Sequence, residues 1–280
     1  MYRSFFNVFL IIFLSIISFL LTFIVVSYLK RMDPIMKEIK ENSLLLEEEY
    51  VNAYVDDDII IPGISGKKID IENSYSIMRK YGSYKEDLLV YEEIFPLVSI
   101  SNIYDKYVIS GNKDKEEVSL IFKIEDTSFL EEIILILKRN DVIGTFFIDE
   151  RLLMENKDII DLLYLNNQNI EMLSNNYKII NIDRISSLLR SYISIDINYC
   201  YLEEYNLDIL NKCSFEKMHT IIPTINTSKY PYYDIKNNLS NGSIIKLNND
   251  IRCLYELDFI IKFIKQKKYD IVSLKKMLNE

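Results

Sequence analysis

The chain has a single histidine, His219, no tryptophan and three cysteines in 280 residues. One histidine excludes any site that draws two imidazole ligands from one chain. Cys200, Cys213 and Cys253 form no Cys-x-x-Cys pair. So sparse and odd a set reads as neither a zinc cluster nor a disulfide framework, and the three are expected to be small buried apolar residues. Lys and Arg form no run long enough to make a basic face. With a net charge of −9 this argues against non-specific nucleic-acid binding, and no nucleic-acid partner is expected. The missing tryptophan, beside abundant Ile, Asn, Lys and Tyr, reflects AT-rich coding rather than an activity.

What is present is apolar enough to fold: 49% of residues are hydrophobic and 27% charged, unlike a disordered polymer. Residues 5–29 are apolar apart from Asn7, a few Ser and Thr, and Tyr28. As a helix this run spans roughly 37 Å, more than the ~30 Å hydrocarbon core. It is longer than a signal-peptide core and no small-x-small cleavage site follows, so it reads as a single-pass membrane anchor. Arg3 precedes it, and Lys30, Arg31, Lys37 and Lys40 follow. By the positive-inside rule alone, that count leans towards a cytoplasmic C-terminal domain.

Beyond the anchor (1–30), residues 31–60 read as a helical stalk or linker. The acidic runs Glu47-Glu48-Glu49 and Asp56-Asp57-Asp58 within it read as solvated faces. Residues 61–115 form an N-terminal extension of the following domain, with a short helix near Glu72–Arg79 and an extended stretch at Lys106–Ser110. From Val118 a rhythm sets in. Apolar strand-like runs begin near Val118, Val142, Asn169, Ile195, Met218, Ser243 and Tyr269, roughly 25 residues apart, with amphipathic helical patterns between most of them. About seven βα units point to an α/β fold with a parallel sheet. Residues 118–280 fall short of the roughly 250 that an eightfold barrel uses, so an incomplete or distorted (β/α) barrel is expected.

Val118–Glu150 reads strand, helix, strand, and its second strand is Gly144-Thr145-Phe146-Phe147-Ile148. Gly242-Ser243-Ile244-Ile245-Lys246-Leu247-Asn248 is followed by a helix and by Ile271-Val272-Ser273-Leu274. These segments, in this order, resemble the polysaccharide deacetylases, the NodB-type carbohydrate esterase domain, whose strands read Phe-Asp-Asp-Gly, Ala-Thr-Phe-Phe and Gly-x-Ile-x-Leu-x-His. The resemblance covers residues 116–280. It implies metal-dependent hydrolysis of acetamides: an Asp and two His hold a divalent metal, usually zinc, a second Asp acts as base and a late His as acid. In this chain the base falls on Lys123, the metal-binding Asp on Ile124, the two ligand histidines on Leu173 and Tyr177, and the late His on Asn248. The Arg-Pro-Pro segment falls near Asn198–Glu203, which has neither Arg nor Pro. A degenerate member is implied: a pseudoenzyme with no catalytic residues, no metal ligands and no zinc. Relatives with an N-terminal span work outside the membrane, which favours an extracytoplasmic domain over the charge count.

Glu125, Asp126, Asn175, Tyr201 and Asn248 fall at strand ends and are the candidate ligand-lining residues. Glu203, Asn249 and Asp250 fall at such ends too. The plainer reading is polar turns and helix caps, with Asp126 or Thr127 capping the next helix. Lys123 is expected to pair with Glu125 or Asp250. The five tyrosines Tyr199, Tyr201, Tyr230, Tyr232 and Tyr233 are numerous enough for a sugar platform, although most of the 21 in the chain should serve the core. His219 reads as a packed histidine. The function expected is a membrane-anchored, non-catalytic glycan-binding or scaffold module of the cell envelope, its partner a cell-wall glycan or an envelope protein. Two alternatives stay open: a carbohydrate deacetylase with an unconventional site, and a protein-interaction module with no glycan ligand.

Overall fold

A computed structural model describes residues 2–173, 187 and 197–280. In chain order its strands are β1 (Tyr54–Asp56), β2 (Ile59–Ile61), β3 (Gly66–Ile69), β4 (Tyr91–Ile94), β5 (Tyr107–Val108), β6 (Glu117–Ile124), β7 (Thr145–Ile148), β8 (Asn169–Leu173), β9 (Tyr199–Tyr201), β10 (His219–Ile221), β11 (Ile225–Asn226), β12 (Ile244–Asn248) and β13 (Asp270–Ile271). Its helices are α1 (Tyr2–Met32), α2 (Pro34–Leu46), α3 (Ile71–Tyr81), α4 (Leu130–Arg139), α5 (Glu150–Glu155), α6 (Asp158–Leu165), α7 (Leu207–Phe215), α8 (Pro231–Asn238), α9 (Ile251–Gln266) and α10 (Leu274–Met277). The chain divides into two compact units, one of Val51–Ile64 with Phe95–Glu280, the other of Met1–Tyr50 with Ser65–Ile94.

The larger unit is a curled, incomplete (β/α) barrel. Its strand order is β1-β2-β5-β10-β9-β8-β7-β6-β12-β11, with β13 joined to the start of β6. Every pairing in it is parallel except β1 with β2. Strands begin close to each of the seven places that the apolar rhythm marks. The helix expected over 185–192 lies outside the described residues. β1, β2 and β5 extend the sheet at one edge, and of these only β5 shows in the sequence, as an extended stretch.

Alternation along the strands separates two cores. Val118, Leu120, Phe122 and Ile124 of β6, Phe146 and Ile148 of β7, and Ile245 and Leu247 of β12 face the helices and pack with α4, α6 and α9. The opposite faces supply Ile121, Phe147, Leu173, Tyr199, Tyr201, Ile221 and Ile244 to the barrel interior. Val272, Leu274, Met277 and Leu278 join this inner core, and the Leu274 N–H donates to Thr145 Oγ1 at the amino end of β7. The C-terminal segment therefore packs at the amino ends of the strands, and the carboxyl ends form the other mouth.

The helix-to-strand turns repeat one device. After α4, α6, α7 and α9 a left-handed residue follows the cap: Asp141, Asn167, Lys217 and Lys268. The next N–H then bonds back into the last turn, as in Val142 N–H to Leu137 O and Met218 N–H to Cys213 O. α4 also places Glu131 and Glu132 in its first turn and Lys138 and Arg139 in its last, matching the helix dipole.

The cysteine expectation is corrected. Cys200 and Cys213 form a disulfide, with Cα atoms 6.4 Å apart, and only Cys253 is free. Burial was expected and all three are buried, but β9 directs Cys200 outward onto the face where α7 docks and presents Cys213. The pairing follows from that packing, which linear spacing does not encode.

In the smaller unit, Asp33 caps α2 by accepting the Ile35 N–H, with Pro34 in its first turn. Met36 and Ile39 of α2 pack with Ile69, Tyr75 and Met78 around α3 and the antiparallel β3–β4 pair. α1 is 31 residues long. Its stretch Leu10–Met32 is long and apolar enough to cross a membrane, the one such stretch among the described residues, and none of it is buried.

Candidate functional site

The barrel mouth at the carboxyl ends of β6, β9 and β12 gathers the charged groups. Lys123 lies on the inner face of β6, in register with Asn248 on β12 and Phe147 on β7. Its ammonium donates to Glu203 Oε1 at 2.9 Å and lies 3.3 Å from Glu125 Oε1. Burial works against the charged lysine, but the hydrogen bond and charge of Glu203, and then Glu125, outweigh it and raise the Lys123 pKa. The Lys123 hydrogen bond in turn holds the Glu203 carboxyl below its ordinary range.

Asp250, the other partner expected for Lys123, is used elsewhere: it caps α9, accepting from the Arg252 and Cys253 N–H groups. Asp126 accepts from Ser128 N–H at 2.8 Å, and the Asn249 amide donates to its carbonyl. It forms a turn ahead of α4 and does not cap it, since the helix begins after Phe129 with no side-chain cap. Asn248 is half-buried beside Lys123. Tyr201 is buried against Phe147, ring centroids 5.4 Å apart, and burial followed by the Glu203 charge raises its phenol pKa.

Two of the positions that the resemblance assigns to metal ligands, Ile124 and Leu173, offer a metal no donor. Ile124 has no donor atom and lies fully buried on the helix-facing side of β6. Leu173 is apolar and buried in the inner core. Tyr177 and Asn175 lie outside the described residues. Among the described residues no group of three or more His, Cys, Asp and Glu converges as a metal set. His219 begins β10, at the amino ends of the strands, stacked on Tyr104 with centroids 4.5 Å apart, and burial drives its pKa down to about 4.

Two residues in the inner face escaped the sequence reading. Lys246 of β12 is only 5% exposed, and among the described residues no carboxylate oxygen lies within ion-pair distance of its ammonium. It stands at the Leu of the Gly-x-Ile-x-Leu-x-His pattern. Burial lowers its pKa, while Glu203, Glu125 and Asp250 act to raise it. Glu171 of β8 is buried and accepts the N–H groups of Asn198 and Tyr199, both at 2.9 Å, which fixes the entry to β9. Burial pushes its carboxyl up to about 8 against the pull of those N–H groups and of Lys275. The signal for both was a charged residue inside an apolar strand, on the parity that faces the interior.

No family model matches the chain. A sequence match to the uncharacterized protein YlxY of Bacillus subtilis (strain 168) is 31% identical over 119 residues. It covers 42% of this chain and 37% of that protein, so well under half of the relative's length is shared. Among solved structures, wild-type BA3943 of Bacillus anthracis, a CE4 family pseudoenzyme, superposes with TM-score 0.68 at 22% identity, covering 89% of this chain and 96% of that one. Bacillus subtilis PdaA, a family 4 carbohydrate esterase, superposes with TM-score 0.54 at 15% identity over 82% of this chain and 97% of that one. The fold is therefore that of the family 4 carbohydrate esterases, the polysaccharide deacetylase class. Within that class, the neighbours of this chain include a pseudoenzyme, BA3943, of which a mutant with restored enzymatic activity has also been solved.

Proposed function

We propose that this is a membrane-anchored, catalytically silent deacetylase-fold protein that binds a cell-envelope glycan at its barrel mouth. The observation that carries the proposal is the Lys123–Glu203–Glu125 ion-pair cluster at the address where the fold class performs its chemistry. A lysine held charged there cannot act as a base, and the donor set around it does not suit a divalent metal. The pseudoenzyme BA3943 supports the same reading by analogy of fold. The apolar length of α1 supports anchoring. The Cys200–Cys213 disulfide supports an oxidising, extracytoplasmic setting, since such bonds are rare in reducing compartments.

The test uses the full chain in detergent micelles, assayed for zinc content, for acetate release from N-acetylchitooligosaccharide, and for co-sedimentation with insoluble peptidoglycan. We expect no stoichiometric zinc, no acetate above background and saturable sedimentation. Acetate release abolished by Glu125→Ala would establish the unconventional enzyme instead. A second reading has its own observation: Tyr230, Tyr233, Tyr255 and Phe259, on or next to α8 and α9, are all more than half exposed. Such an aromatic surface suits a protein partner. No glycan binding, together with capture of an envelope protein that is lost on Tyr255→Ala, would favour it.

A further inference from the structure

Lys246 is a cation with its back to a hydrophobic core. Ile244, Lys246 and Asn248 share the inner face of β12, because side chains alternate along a strand. Ile121 and Lys123 share the same face of β6, and the register sets Lys246 opposite Ile121 and Asn248 opposite Lys123. The two ammonium groups thus rise from adjacent strands into one mouth. Lys123 pairs directly with Glu203 and Glu125. Lys246 has no such direct contact: its residue is 5% exposed and no described carboxylate lies within ion-pair distance, although Glu203, Glu125 and Asp250 act on it from further off. The ammonium itself is not among the buried atoms that lack a partner, so it reaches the mouth, where a carboxylate supplied from outside can close on it.

From this geometry we infer that the mouth takes an acidic sugar, with Lys246 receiving a carboxylate of the ligand beside the Lys123–Glu203 pair. The inference rests on the glycan-binding reading above and narrows it to a chemical class. A singly charged carboxylate fits better than a phosphate dianion, because Glu203 and Glu125 stand close by and would repel the second charge. Asn248 provides an amide on the same inner face for the neutral part of the sugar.

Titration calorimetry on the full chain in micelles, with two tetrasaccharides of the same backbone, provides the test. One is neutral N-acetylchitotetraose. The other alternates N-acetylglucosamine with N-acetylmuramic acid, so it differs by its lactyl carboxylates. The acidic sugar should bind on the order of tenfold tighter, the size of one charge-assisted contact. Lys246→Met, which keeps the volume and removes the charge, should abolish the preference for the acidic sugar. Glu203→Gln should tighten the acidic sugar further. Equal affinity for both sugars in the wild-type protein, or a preference that survives Lys246→Met, overturns the inference and leaves glycan binding standing. Binding of neither sugar overturns both. A melting curve for Lys246→Met at or above the wild type shows that any loss is not unfolding.

Discussion

Lys123 and Glu171 illustrate two ways of housing an ionisable group inside this barrel. Lys123 keeps its charge by pairing, with its side chain 20% exposed and that of Glu203 38% exposed. Lys123→Met should cost about 1 kcal/mol, a partly exposed pair being worth less than a buried one. Lys123→Asp should cost more, because it brings a third carboxylate beside Glu203 and Glu125. Urea denaturation at pH 7 should rank the three as wild type, then Lys123→Met, then Lys123→Asp, and the gap for Lys123→Asp should narrow on acidification. Equal midpoints for the two variants would mean that the cluster carries no charge balance. Glu171 keeps its place by holding a proton instead. Its folded pKa of about 8 lies above the ordinary 4.5, so the folded state binds the extra proton between those values. Stability then falls as pH rises through that window. Melting curves from pH 5 to 8 should show this slope in the wild type and a shallower one in Glu171→Gln, which melts above the wild type at pH 8. Identical slopes would refute the raised carboxyl.

At the level of elements, the disulfide ties β9 to α7 and so holds the strand that carries Tyr201 and leads to Glu203. Cys200 and Cys213 are 13 residues apart, and closing such a loop is worth about 3 kcal/mol in the chain-entropy model. Thiol titration of the denatured, unreduced protein should find one free thiol, Cys253, and three after reduction. Cys200→Ala/Cys213→Ala should lower the denaturation midpoint accordingly; three thiols without reductant would show that the bond does not form. The elements differ in how legible they were. β6, β7 and β12 announced themselves because each is a run of apolar branched or aromatic residues, buried on both faces. β1, β2 and β5 are two or three residues long, too short for any periodicity; β1 and β2 form a local hairpin, and β2 and β5 join the sheet by pairing with strands distant in sequence. The Lys123 pairing was legible in part, since Glu125 lies two residues away along the chain, whereas Glu203 reaches it only once β9 curls alongside. Lys246 and Glu171 were hidden because an apolar strand reads as core on both faces, and only the curl of the sheet gives one face an interior mouth.

For the whole molecule, the issue is where the barrel resides. If α1 anchors it, the protein should remain in the membrane fraction through high salt and carbonate and leave it only with detergent. Mass spectrometry of the purified chain should then recover peptides from residues 4–30. Protease added to intact protoplasts should remove the barrel. A soluble protein lacking those peptides would make α1 a cleaved leader, and protection from external protease would put the barrel inside.

The Lys123 cluster has a further consequence for the reversibility of evolution. The resemblance places a carboxylate at position 123, and restoring it there puts that carboxylate against two others, Glu203 and Glu125. Ile124→Asp, the companion step, buries a carboxylate among the helix-facing side chains of β6. Each of these substitutions alone should therefore lower the denaturation midpoint, while the two together bring the carboxylates that the resemblance implies onto one strand end.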